Sequence, residues 1–225
     1  MRLVDHVIMQ SGRNYAVDTE IPRSFLYAQY VARASQLLRG LLTLRRRVFR
    51  GPSVHIMCKR NLVAGHFSTL GAGSIVDASG VRGVHLGRGA KIGRRSIVTT
   101  TSQLSKRGVG LTIGDYSGIG DYAHIGCSGG VTIGRDVIVG PYVTFHSQEH
   151  ITNSLDQTIR SQGTFESEVI VENDVWIGAR VTLLAGSHVR SGSVIAAGSV
   201  VRGEFPPNCI IGGVPAKVLK ERMRP

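Results

Sequence analysis

Val171, Ile177, Leu183, Val189, Ile195 and Val201 recur at an unbroken spacing of six, and the residue four after each of the first five is Val175, Val181, Ser187, Ser193 or Ser199. A helix repeats its apolar positions about every 3.6 residues and a half-buried strand every second residue, so this period suits neither alone. It suits a β-solenoid. Each six-residue unit then supplies one short flat strand and one corner, with the period-setting side chain pointing inward onto its equivalents. Strands of successive coils pair as a parallel sheet about 4.8 Å apart.

Upstream the period continues through Val76, through Leu86, Ile92 and Val98, through Ile113, Ile119 and Ile125, and through Ile133, Val139 and Phe145. Residues 99–110 and 146–168 interrupt it and read as loop insertions, the second replacing small aliphatics with polar and charged groups. Loops of that length in a compact domain usually carry function. The expected organisation is an N-terminal extension over 1–51, a β-helix over 52–205 and a cap over 206–225. Pro206 and Pro207 cannot continue a central strand, and the tail after them reads as a short basic helix.

Within the extension, residues 1–22 show no period. The chain from Ser24, a candidate N-cap, to Arg50 reads as a basic amphipathic helix, with Gly40 marking a kink or a break into two. Leu26, Tyr30, Leu37, Leu41, Leu44 and Val48 fall on one side, opposite Arg39, Arg46 and Arg50. Such a helix either lays its apolar stripe on the solenoid or a neighbouring subunit, or adheres to an anionic membrane.

The net charge of +12 is concentrated here: no acidic residue lies between Glu20 and Asp77, whereas nine Lys and Arg do. No nucleic-acid-reading motif accompanies them, so that class is set aside. Cys58, Cys127 and Cys209 are odd in number and widely spaced, which suits reduced thiols rather than a disulfide framework or a zinc ribbon. No signal-type or bilayer-spanning run is present, and a cytoplasmic location, peripheral at the inner membrane surface, is expected.

The segments YVTFHSQEH (142–150), VWIGARVTLLAG (175–186), AAGSVV (196–201) and PPN with GGVPAKV (206–208, 212–218) resemble the hexapeptide-repeat acyltransferases, in particular sugar and polysaccharide O-acetyltransferases of the galactoside and maltose type. The resemblance implies a left-handed parallel β-helix, a homotrimer with active sites between subunits, acetyl-CoA as acyl donor without a metal, and a sugar or glycan acceptor. It places the catalytic histidine at His150. An alcohol needs its proton removed as it attacks the thioester, and an imidazole of ordinary pKa about 6.5 is neutral enough to accept it. His146 and Glu149 are candidate supporting neighbours. Gly178, Ala179 and Ala197 match positions that approach the pantetheine arm, Trp176 lies beside them, and Arg202, Lys217 and Lys220 match contacts to the nucleotide phosphates. Gly203 stands where relatives often carry Lys. The loop segment IRSQGTF (159–165) resembles the polysaccharide-biosynthesis members, which implies a polysaccharide or lipid-linked glycan acceptor.

Other readings remain open at this stage. An amino sugar could replace the alcohol on the same fold. His124, His146 and His150 could be imagined as the ligands of a carbonic anhydrase-like metal site. The solenoid could also serve as a non-catalytic scaffold.

Overall fold

The computed structural model describes residues 18, 20–100 and 105–222. The reading of residues 1–17, and the part of the first insertion at 101–104, lie outside the described residues.

The repeat winds into a three-sided prism. The first face runs from Phe49–Arg50 through Thr69–Leu70, Lys91–Ile92, Gly118–Ile119, Ile138–Val139, Trp176–Ile177 and Val194–Ile195 to Cys209–Gly213. The second runs from His55–Met57 through Ile75–Asp77, Ile97–Thr99, His124–Gly126, Thr144–His146 and Thr182–Leu183 to Val200–Val201. The third runs from Leu62–Ala64 through Gly83–Leu86, Gly110–Ile113, Val131–Ile133, Val169–Val171 and His188–Val189 to Glu204–Phe205. Pairing along each face is parallel, for example Trp176 with Val194 and Ile177 with Ile195. This is the left-handed parallel β-helix that the resemblance implies.

The period-setting residues fill the prism. Ile177, Leu183, Val189, Ile195 and Val201 are buried, as are Ile92, Ile119, Ile125 and Phe145 in earlier coils. Burying each such side chain contributes about 1.5–3 kcal/mol. The serines four residues on from a period-setting position are buried too, and they stitch one coil to the next. Ser187 Oγ donates to Val201 O at 2.9 Å, and Ser193 Oγ accepts from Cys209 N at 3.3 Å. Gly178 is required where coils touch, since a Cβ there would lie 2.5 Å from the backbone nitrogen of Ala197.

Three edges join the faces: edge one from first to second, edge two from second to third, edge three from third back to first. Both insertions leave the prism at edge two, as do residues 127–130. The insertions meet there, Lys106 Nζ lying 2.7 Å from Glu166.

Three expectations are corrected at the ends. The N-terminal helix, α1 (Arg23–Leu44), is one continuous helix that begins after Pro22 and stops at Arg45 in the left-handed conformation. Ser24 lies inside it. Phe49 and Arg50 join the first face instead, pairing with Thr69 and Leu70. Gly40 marks close packing rather than a kink, because a Cβ there would collide with the carbonyl oxygen of Val48. The tail is also not helical: Ala216–Glu221 is a strand folded back antiparallel on Cys209–Gly213. The last coil would otherwise leave a row of unpaired backbone groups, and this strand covers them.

Candidate active site

Edge one repeats a single turn with varying second residues: Ala72, Arg94, Asp121, Pro141, Ala179 and Ala197. The N–H of such a residue points along the edge. At Arg94 it is capped by the carboxylate of Asp121, the equivalent residue one coil on, at 2.8 Å. The same device recurs on edge three, where Asp115 caps Arg88 N at 2.7 Å and Asn173 caps Arg135 N at 2.9 Å. Proline at 141 has no N–H to cap. At Ala179 the following equivalent is Ala197, whose methyl group offers no acceptor. Among the described residues, neither Ala179 N–H nor Ala197 N–H has a hydrogen-bond acceptor. Among the described residues Ala72 N–H and Asp121 N–H likewise lack an acceptor, but at Ala179 and Ala197 two open donors follow in successive coils on a surface kept low by small side chains.

Around these donors lie other residues expected at a cofactor site. Trp176 stands 55% exposed on the first-face strand that leads into the Ala179 corner. The Ala179 carbonyl is already used, accepting from Gly198 N at 2.9 Å. Lys217 and Lys220 are exposed on the returning strand, opposite Gly212 and Ile210, at the end of the first face. Gly203, by contrast, lies after the second face, toward edge two. A ligand with amide carbonyls at one end and phosphates at the other fits this arrangement.

The second insertion is an ordered hairpin. Gln148–His150 pairs with Thr164–Glu166, His150 opposite Thr164, and α2 (Ile159–Gln162) closes it, with the Gln162 side chain bonded to Ser154 N at 2.9 Å. Its base is pinned by Glu168, which accepts from Thr132 Oγ1 at 2.6 Å and pairs with Arg82 at 3.0 Å. His150 is exposed at the strand end, and among the described residues its imidazole has no hydrogen-bond or ionic partner. Glu149 does have partners: Oε1 accepts from Ala185 N at 3.2 Å, and Oε2 pairs with Arg202 at 2.6 Å. Arg202 thus sits on edge two beside the histidine hairpin and away from Lys217 and Lys220. Glu149 is directed to the coil body, with both oxygens engaged there.

His146 lies on the second face, where its ring centroid is 6.1 Å from that of His124. Burial and the neighbouring His146 hold His124 below its usual pKa. The structure therefore couples His124 to His146 rather than gathering three histidines. Among the described residues no group of three His, Cys, Asp or Glu side chains could hold a metal.

Sequence reasoning missed the capping aspartates and the Tyr122–Tyr142 pair, whose rings stack 5.1 Å apart on edge one between Arg95 and Arg180. Aligning corners coil by coil would have brought both to light.

Residues 168–203 match the family model described as bacterial transferase hexapeptide (six repeats). The chain is 37% identical over 122 residues to the Escherichia coli (strain K12) protein WbbJ, named provisionally as a lipopolysaccharide biosynthesis O-acetyl transferase, a match covering 51% of this chain and 62% of that one. It is also 37% identical over 92 residues to the galactoside O-acetyltransferase of the same strain, covering 40% and 44%. The chain thus spans less than two thirds of these curated relatives. Among solved structures, a hexapeptide-repeat-containing acetyltransferase from Vibrio cholerae superposes with a TM-score of 0.55 at 27% identity, over 62% of this chain and 74% of that one. A galactoside acetyltransferase in complex with coenzyme A superposes with a TM-score of 0.52 at 27% identity, over 62% and 64%.

Proposed function

Since the chain carries the repeat and the fold of the hexapeptide transferases, we propose that it moves an acetyl group from acetyl-CoA to a hydroxyl of a sugar, in a polysaccharide or lipid-linked glycan, with His150 as general base. The pair of uncapped N–H groups at Ala179 and Ala197 carries the reading. They suit the amide carbonyls of a pantetheine arm, with Trp176 beside it and Lys217 and Lys220 toward the nucleotide phosphates. The name of the E. coli relative points to a glycan acceptor.

The chemistry needs no covalent intermediate on the protein. The His150 imidazole accepts the hydroxyl proton as the sugar oxygen forms its bond to the thioester carbonyl carbon, and the C–S bond then breaks to release the thiol form of CoA after proton return. Glu149 and Arg202 clip the hairpin to the coil body and so set the imidazole's position. Peripheral association with an anionic membrane rests on α1 rather than on this cleft.

Edge one and edge two are separated by the width of the second face, so His150 and the Ala179 and Ala197 donors of one chain lie on different corners. A closed ring of three copies that sets edge two of one against edge one of the next would unite them. His150→Ala should lower turnover by about 10²–10⁴-fold, and Ala197→Phe should block donor binding. Co-expressing the two variants should restore about a quarter of wild-type turnover, because in randomly mixed closed rings one junction in four pairs an intact histidine with an intact donor edge. Near-normal turnover by His150→Ala on an acceptor found by mass-based screening of sugars and glycans would refute the base assignment. Failure of the mixture to regain activity would refute the shared site alone.

A further inference from the structure

An apolar surface is exposed on α1, on the side away from the first coils. Tyr27, Val31, Leu38, Leu41 and Leu42 are 72%, 49%, 56%, 43% and 73% exposed. Their positions share one side at 100° per residue. The opposite side is the one that holds the helix to the first coils. There the Arg33 guanidinium lies 3.7 Å from the centroid of the Phe49 ring, Arg39 Nε donates to Arg50 O at 3.0 Å, and Gly40 is buried against Val48. Arg39, set opposite the apolar side by the sequence pattern, is thus part of the seat. The helix is fixed with its aliphatic stripe outward.

At the C-terminal end of that stripe is a cavity of about 150 Å³ lined by Arg46, Lys59, Arg60, Leu44, Leu62 and Ala64. Three cations share its lining with three apolar side chains. Arg46 reaches Ala64 O at 3.4 Å and Lys59 Nζ donates to the helix-end carbonyl of Thr43. Arg23 flanks the stripe at its start and Arg45 and Arg47 at its end. Among the described residues, none of Arg23, Arg45, Arg46, Arg47, Lys59 or Arg60 forms an ion pair with a carboxylate. The sequence from 21 to 76 holds no acidic residue that could neutralise them.

We infer that this surface docks the chain on an anionic lipid bilayer. The stripe of Tyr27, Val31, Leu38, Leu41 and Leu42 enters the headgroup boundary, and the cavity between Arg46, Lys59 and Arg60 takes a phospholipid phosphate. Exposed aliphatic residues bordered by uncompensated cations match an interface that is apolar below and negative at its surface. A second copy of the same chain would bring like charges together, so charge complementarity selects the lipid. No described helix is long and apolar enough to cross the membrane, so the attachment is lateral. The inference does not depend on the acyl-transfer reading, although a lipid-linked acceptor would be brought to the cleft by it.

Flotation of the full chain with vesicles of phosphatidylcholine, with and without phosphatidylglycerol, tests it. Binding should require the anionic lipid and fall as salt is raised. Leu38→Ser with Leu42→Ser should weaken it at least about tenfold. Arg60→Ala should weaken it about fivefold, as expected for one cation at the surface, with circular dichroism unchanged in each variant. Equal binding to both vesicle types would overturn the proposal, as would none to either. So would loss of the oligomer, rather than of lipid binding, in the Leu38→Ser, Leu42→Ser variant, or binding that arises only on deletion of residues 1–17.

Discussion

Edge one and edge two are corners of the same prism, built from the same repeat, and they have been used in opposite ways. Edge one keeps its turn through successive coils. Its chemistry comes from what is missing, an acceptor opposite Ala179 N–H and Ala197 N–H, where Asp121 provides one for Arg94. Edge two departs from the repeat, and its chemistry comes from what is added, a hairpin that carries His150 and is clipped down through Glu149 and Arg202. On the proposed reading, a regular coil acquires a ligand-binding strip by shortening side chains, whereas a base that must reach outward needs extra chain and extra fastening.

The largest expected effect on cofactor binding breaks edge one. Ala197→Phe puts a ring over both open donors, and losing two hydrogen bonds should weaken acetyl-CoA binding on the order of 100-fold. Calorimetry on the folded variant checks this, and unchanged affinity would move the donor site elsewhere. A smaller effect is expected when the fastening on edge two is cut. Arg202→Ala should reduce kcat about tenfold, in line with the loss of one charge-assisted bond, while KM for acetyl-CoA stays the same. A rise in KM with kcat unchanged would instead return Arg202 to the nucleotide phosphates, where the resemblance placed it.

The remaining comparison concerns stability at edge two. Asp77 ends a second-face strand, and its carboxylate accepts from Ser79 N at 2.9 Å, Thr100 N at 3.1 Å and Thr100 Oγ1 at 2.9 Å. Burial pushes its pKa up, but the bonds from Ser79 and Thr100 outweigh that and leave it below the ordinary value. A carboxyl with a depressed folded pKa stabilises the fold above its unfolded value, about 3.9. That contribution is lost as pH falls through the lower folded value. Asp77→Asn should cost about 1–3 kcal/mol near neutrality and flatten the acid limb of a denaturation series below about pH 4. An unaltered acid limb would show that the edge-two cluster carries no proton linkage.

The period of six made the prism legible because it is a local property. Each of Ile177, Leu183, Val189, Ile195 and Val201 must face inward for its own coil to close, whatever its neighbours do. The ends were harder to read for the converse reason. Phe49 and Arg50 have helix-compatible neighbours, yet they pair with Thr69 and Leu70, since the first coil gains a strand by taking them. Val218 and Leu219 sit in a basic stretch that reads as helix, yet the unpaired edge of Cys209–Gly213 draws them into a strand. Both choices depend on backbone partners far from the segment concerned.

The sequence alone therefore determined the solenoid, the corner positions with small residues, and the presence of a histidine on an interrupting loop, because each follows from residue types at short, regular spacing. Only the tertiary structure decided that both insertions emerge on one edge, that Arg202 pairs with Glu149, and that α1 turns Arg33 and Arg39 inward and Leu38, Leu41 and Leu42 outward. Those outcomes depend on how many residues each coil consumes and which groups then come within hydrogen-bonding distance, sums over the whole winding that no local pattern contains.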